Sequence, residues 1–200
     1  MHRESDDDES CLQARDDPQD ADLLARSAAG DRQAFERIVK RYGTMALRVA
    51  ARLAPDRSSA EDIAQEAFVR VWTRAADFDG RRARFTTWLY RIVINLAIDE
   101  RRRSRSERLA EDFEVADPAP GTEERLELDE RFTALWSARQ ALPSRQQAAL
   151  VLVYDEGLSG GEAAQVLGVS PKAVERLLAH ARAHLRKRLQ PGGDVEERKS

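Results

Sequence analysis

Between Ser58 and Arg105 the apolar residues recur at helical spacing and nowhere alternate as they would in a strand, which constrains the fold more than any other feature of the chain. Ile63, Ala67, Phe68, Val71 and Trp72 fall on one stripe, while Glu61, Asp62, Gln65, Glu66 and Arg70 occupy the remaining faces. Ser58 stands in S-x-x-E spacing with Glu61, which predicts the helix start there, hydroxyl and carboxylate each satisfying a free backbone N–H. One side of this helix packs and the other is open to a partner. Asp79-Gly80 predicts a turn, and beyond it Arg81, Arg82, Arg84, Phe85, Thr86, Trp88 and Arg91 set cations beside flat rings. Phosphates attract the charges, and an unstacked base gains about 1–3 kcal/mol from an aromatic face. The competing reading makes Phe85, Trp88, Leu89 and Ile92 a core stripe, and spacing alone allows both. Further along, Asn95, Asp99, Arg102 and Arg103 lie on one exposed face, with side chains able to reach base edges.

Upstream, a short helix is predicted from Asp20 to Ala29, then a break at Gly30-Asp31 with Asp31 as the next N-cap. The second helix runs to Leu53, stopped by Pro55, with Phe35, Ile38, Val39, Tyr42, Leu47, Val49 and Leu53 as its expected buried side. Residues 1–19 are an acidic tail with almost nothing to bury. With 42% hydrophobic content, few aromatics and no alternating runs, the 200 residues read as all-α, arranged as two small helical domains. The net charge of −3 hides a segregation: arginine dominates from Arg81 to Arg108, whereas Met1–Asp22 and Glu111–Glu130 are acidic. The single cysteine, Cys11, permits no internal disulfide and fits a reducing compartment. No apolar run approaches the roughly 20 residues of a membrane span, and no signal peptide is evident, so a cytoplasmic location is expected.

Residues 109–121, with Pro118, Pro120 and Gly121 among acids, read as a flexible linker between an N-terminal bundle at 20–108 and a four-helix domain at 122–190, followed by a tail at 191–200. In the second domain Leu126, Leu128, Phe132, Leu135, Trp136 and Ala138 make a first helix, and Leu142-Pro143-Ser144 restarts a second that reaches Asp155, with Gly157 at its stop. Ser159 and Glu162 form another capping box, Gly168-Val169-Ser170 is a turn, and Pro171 opens the last helix, which runs to Gln190. Ala163, Ala164, Leu167, Val169, Val174 and Leu177 make the contact between the last two helices, a helix-turn-helix. Its reading set is Ser170, Lys172, Ala173, Glu175 and Arg176, with Arg182, Arg186, Lys187 and Arg188 attracting phosphate. Neither a glycine-rich phosphate loop nor a nucleophile elbow is present, so no enzyme and no cofactor are expected. The pairs His2/Cys11 and His180/His184 lack further ligands, so no metal is expected either.

Two strings carry a family resemblance. E-D-I-A-Q-E-A-F-V-R-V-W followed by R-F-T-T-W-L-Y-R-I-V-I-N-L-A-I-D-E-R-R-R resembles the promoter-melting domain of bacterial RNA polymerase sigma factors of the extracytoplasmic-function subfamily. L-P-S-R-Q-Q-A-A-L-V-L-V-Y-D-E-G-L-S resembles the family's −35-reading domain. The resemblance implies that Asp62, Gln65, Glu66, Val69 and Arg70 dock on the polymerase clamp. It gives Asn95, Asp99, Arg102 and Arg103 to the upstream edge of the −10 element, and the loop Phe78 to Arg84 to a flipped base, with Arg81, Arg82, Phe85, Thr86, Trp88 and Arg91 completing that surface. Ser170, Lys172, Ala173, Glu175, Arg176, Ala179, His180 and Arg182 would face the −35 element. Gly160-Gly161 and the run Ala173-Val174-Glu175-Arg176-Leu177-Leu178 depart from the usual pattern, so the −35 sequence itself does not carry over. The implied partners are core RNA polymerase, promoter DNA and an anti-sigma factor, which can be membrane-anchored; the chain would be a monomer when free and take no small-molecule substrate. About 13 linker residues, fully extended, span roughly 45 Å, comparable with one to two DNA turns of about 34 Å. The alternative is a free-standing helix-turn-helix regulator with an N-terminal dimerisation or effector bundle, which would bind duplex DNA without polymerase.

Overall fold

The computed structural model describes residues 19–81, 83–110 and 133–189, and every regular element among them is helical. The tails, Arg82, and the linker apart from Leu109 and Ala110 lie outside the described residues, as do Leu126, Leu128 and Phe132.

Helix α1 spans Asp20–Ala28 and α2 spans Arg32–Leu53. Between them Gly30 takes φ 90°, open to glycine, and the Asp31 carboxylate accepts the Ala34 N–H at 3.1 Å, the expected N-cap. Helix α3 spans Arg57–Thr73 and is followed by a 3-10 turn, Ala75–Asp77. Its start differs from the sequence expectation. Asp56, in extended backbone, caps it by accepting the Ser59 N–H at 2.8 Å and its hydroxyl at 3.0 Å, which puts Ser58 inside the first turn and leaves Glu61 to pair with Arg57 at 2.8 Å. Pro55 ends α2 one residue earlier, so Asp56 is the first residue free to take the extended N-cap conformation, and its carboxylate claims the helix start before Ser58 can.

Helix α4, Phe85–Ala110, supplies the centre of the N-terminal core, with Phe85, Leu89, Val93 and Ile94 packed against Ile38, Tyr42, Val49 and Val71. The buried stripe of α2 is Ile38, Tyr42, Met45, Val49 and Leu53. Three expected members fall off it: Leu47 is 41% exposed, and Phe35 and Val39 are half-buried. The true stripe steps by four, three, four and four residues, whereas Phe35, Val39, Gly43 and Leu47 step by fours alone and so drift round the helix to a second face. Asp20, buried at the start of α1, accepts from the Tyr42 hydroxyl and from Arg41 at 2.6 Å, tying α1 to α2.

The C-terminal helices are α5 (133–140), α6 (Ser144–Leu150), α7 (Gly160–Leu167) and α8 (Pro171–Leu189). Leu135, expected in the core, is exposed, while Ala138 is buried. Helix α6 runs on into a π turn, Val151–Asp155, closed by the Glu156 N–H on the Val151 carbonyl at 2.9 Å, and Gly157 then takes φ 68° to turn the chain. At the head of α7 the Ser159 hydroxyl and Glu162 carboxylate complete the predicted capping box; at its foot Gly168 takes φ 65°, and Pro171 opens α8. The buried cluster is continuous from Leu23 in α1 to Val174 in α8, so the N-terminal and C-terminal helices pack on one another.

Candidate functional site

Three exposed surfaces bear the residues singled out from the sequence. On α3, Asp62, Gln65, Glu66 and Val69 face solvent, Val69 being 54% exposed, and Arg70 lies half-buried against Glu66 at 3.0 Å. The same face borders a groove of about 870 Å³ between α2 and α3, which the sequence analysis missed. Phe35, Val39, Leu47, Phe68 and Trp72 line it, and Gly43 forms part of its floor. Phe35 packs edge-on against Trp72 with centroids 4.9 Å apart and against Phe68 at 6.5 Å, so the walls are held by one another as well as by the core beneath Phe35 and Phe68. A Cβ built on Gly43 would meet nothing within 4 Å, so the glycine deepens the groove and is not demanded by a close backbone approach. The signal available beforehand was the second apolar stripe of α2, read as core.

The second surface is the start and outer face of α4. Asp79 accepts the backbone N–H of Arg81 at 3.0 Å and its guanidinium at 3.0 Å, and this carboxylate raises the Arg81 pKa above its ordinary value. Phe78 is half-buried, stacked edge-on with Phe85 at 6.0 Å and tilted against Trp88 at 5.5 Å. Phe85 is 1% exposed and Thr86 is buried, so both are corrected from DNA-facing to core. The cause is that Phe85 points to the Tyr42 ring, 4.9 Å away, and lies one helical turn before Leu89 on the face that seals the bundle. Arg84 is exposed and reaches Glu162 of α7 at 3.5 Å; Arg91 donates to the Gln165 and Val166 carbonyls. Asn95, Asp99, Arg102 and Arg103 are all exposed on the distal half of α4, with Arg103 near Glu100 at 3.1 Å.

The third surface is α8. Lys172, Glu175, Arg176, Ala179, His180 and Arg182 are exposed, and Ala173 is half-buried. Ser170 serves the fold directly, its hydroxyl accepting the Ala173 N–H at 3.2 Å as the cap of α8. At the other end of the motif the Ser159 hydroxyl and N–H hold the Glu162 carboxyl below the usual carboxylate range.

An exposed cationic helix behind an aromatic bundle, joined to a helix-turn-helix, defines a class of DNA-binding protein that reads two sites with one chain. The family described as Sigma-70 region 2 matches residues 38–107, and that described as Sigma-70, region 4 matches residues 132–185. The ECF RNA polymerase sigma factor SigM of Mycobacterium tuberculosis is 34% identical over 174 residues, covering 86% of this chain and 85% of that protein. The probable RNA polymerase sigma factor RfaY of Xanthomonas campestris is 38% identical over 173 residues, and the match spans 83% of this chain but 43% of that longer protein. Among solved structures, CnrH in complex with the cytosolic domain of CnrY superposes with a TM-score of 0.61 at 33% identity, covering 84% of this chain and 94% of that one. The chain belongs to the extracytoplasmic-function subfamily of sigma-70 RNA polymerase sigma factors, which direct the polymerase to promoters.

Proposed function

We propose that α3 and the groove beside it dock on core RNA polymerase, that α4 reads and helps open the −10 element, and that α8 reads the −35 element. Asp62, Gln65, Glu66, Val69 and Arg70 form the rim of the docking surface, and the Phe35, Phe68 and Trp72 walls give it an apolar floor for a partner helix. On α4, Asn95, Asp99, Arg102 and Arg103 meet the upstream edge of the −10 element, and Phe78, Arg81, Arg82, Arg84, Trp88 and Arg91 receive the opened strand. Lys172, Ala173, Glu175 and Arg176 at the start of α8 enter a major groove, with Ala179, His180 and Arg182 along the backbone and Ser170 holding the helix start. The observation that carries this reading is the exposure of two separate cationic helix faces on one chain, one on an aromatic bundle and one on a helix-turn-helix. No helix among the described residues is long and apolar enough to cross a membrane, and the polymerase places its work in the cytoplasm. An anti-sigma protein covering the docking and DNA surfaces is the natural regulator of such a chain, whose own action requires no bond to be made or broken.

Run-off transcription with core polymerase, with and without the protein, on a promoter-fragment library tests the assignment. Arg102→Ala should weaken dependence on the −10 sequence and Arg176→Ala dependence on the −35 sequence, each with core binding retained. Sequence-specific duplex occupancy by the protein alone, with no transcription gained from core polymerase, would overturn it in favour of a free-standing regulator.

A further inference from the structure

We propose that Glu175 sets the −35 specificity of this chain, by admitting a cytosine at the base pair it meets and excluding guanine and thymine there. The proposal rests on α8 reading the −35 element and states what it reads. Helix α8 holds six lysines and arginines, Lys172, Arg176, Arg182, Arg186, Lys187 and Arg188, and Glu175 is its one carboxylate. A helix built only to attract phosphate has no use for that charge, because every phosphate it nears opposes it. Glu175 is exposed all the same, in the second turn of α8, where a helix laid in a major groove brings side chains to base edges.

Its surroundings leave the carboxylate free for such an edge. The helical positions from which a cation reaches it are three and four residues away, and Pro171, Leu178 and Ala179 fill three of those four. Lys172 fills the fourth, and among the described residues the Glu175 side chain makes no ion pair or hydrogen bond. On α3, by contrast, Glu61 and Glu66 are each met by an arginine four residues away, at 2.8 and 3.0 Å. Val174 and Ala181 are buried, which fixes the rotation of α8 and leaves Lys172, Glu175, Arg176 and Ala179 outward.

The chemistry then singles out one base. An ionised carboxylate only accepts hydrogen bonds. In the major groove guanine and thymine present acceptors, which repel it; adenine presents a donor beside an acceptor, and cytosine a donor alone. Cytosine is therefore the base that sets nothing against the charge, with adenine second. Cations by themselves bind any duplex, and a charge tolerated at one base turns that attraction into choice.

The test measures transcript yield from core polymerase and full-length protein on promoter templates with the −35 region randomised. The unsubstituted protein should favour cytosine about tenfold over guanine or thymine at one position. Glu175→Ala should flatten that preference and raise the yield on templates lacking the cytosine. Glu175→Gln should turn it towards adenine, which an amide contacts through both N6 and N7. Both variants should keep the urea midpoint and core-polymerase affinity of the unsubstituted protein, since the side chain has no partner within the fold. Arg176→Ala separates this proposal from the reading beneath it. If Arg176→Ala alters the −35 preference while both Glu175 variants leave it as it was, the proposal falls and α8 remains the reader. If none of the three alters it, the α8 assignment falls and takes the proposal with it. An equal gain on every template in Glu175→Ala would make the carboxylate a general repellent of DNA and overturns the cytosine assignment.

Discussion

Helices α4 and α8 both carry arginines suited to DNA, and they differ in what already holds those arginines. On α4, Arg84 and Arg91 are engaged by α7, and the aromatic residues between them belong wholly or partly to the core. On α8, the side chains of Lys172, Arg176 and Arg182 make no ion pair or hydrogen bond among the described residues. The difference shows how one chain divides its labour. The α8 face, the −35 reader in the proposal, stands unoccupied on a helix capped by Ser170, whereas the proposed α4 face includes arginines that also contact α7. As proposed, promoter opening falls to the surface whose arginines already contact α7.

The largest effect that could break this comparison comes from Phe85. If the ring is core, Phe85→Ala costs about 3–5 kcal/mol of stability in urea unfolding, while Arg176→Ala on α8 changes stability by no more than about 0.5 kcal/mol. Full stability of Phe85→Ala with loss of promoter opening would return the ring to the DNA. Next in size are the two readers compared directly. Arg102→Ala and Arg176→Ala should each lose about 1–3 kcal/mol of discrimination at one promoter element, read as the drop in run-off yield between matched and mismatched templates. Equal loss on all templates would make either residue a phosphate contact.

The docking groove sharpens the comparison from a third side. Gly43→Leu places a side chain in its open floor and removes an unfavourable mid-helix glycine, so unfolding should become harder by about 0.5–1 kcal/mol. Affinity for core polymerase, measured by competition, should nonetheless fall about tenfold, with binding of α8 to a −35 duplex unchanged. A stabilised variant with full polymerase affinity would remove the groove from the docking surface.

The sequence made local structure plain and long-range placement obscure, for reasons visible at particular residues. Asp31, the Ser159 and Glu162 box, Gly168 and Pro171 act within one turn of themselves, and each was readable where it stands. The start of α3 was misread because Asp56 and Ser58 both offer capping oxygens and only the chain's exit from α2 decides between them. Phe85 was ambiguous because an aromatic at helical spacing serves a core and a stacked base equally well, and Tyr42, the residue that settles it, lies in another helix. Leu47 and Phe35 were assigned to the core because periodicity finds apolar stripes without telling which of two is covered. Arg48 and Glu156 carried no signal at all: their pairing joins residues 108 apart, and a lone arginine beside an apolar stripe looks like any solvated charge.

The smallest expected effect concerns Glu162, which belongs to both regions at once, capping α7 and meeting Arg84 of α4. Glu162→Gln keeps a capping-box residue but removes the charge, so at pH 7 it should cost only about 0.3–1 kcal/mol at low ionic strength. The Ser159 bonds hold the folded carboxyl below its ordinary value. The charge therefore contributes stability above the unfolded pKa of about 4.3 and loses it as pH falls through the folded value. Unfolding curves of the two proteins should differ by a constant amount from about pH 6 to 8 and converge as the pH falls below the folded value. In an Arg84→Ala background the gap should narrow slightly if the α4–α7 contact persists in solution, since exposed pairs contribute about 0.2–1 kcal/mol. A gap identical in both backgrounds would mean that α7 stands clear of α4, and the contrast between an occupied and an unoccupied reader would lose its basis.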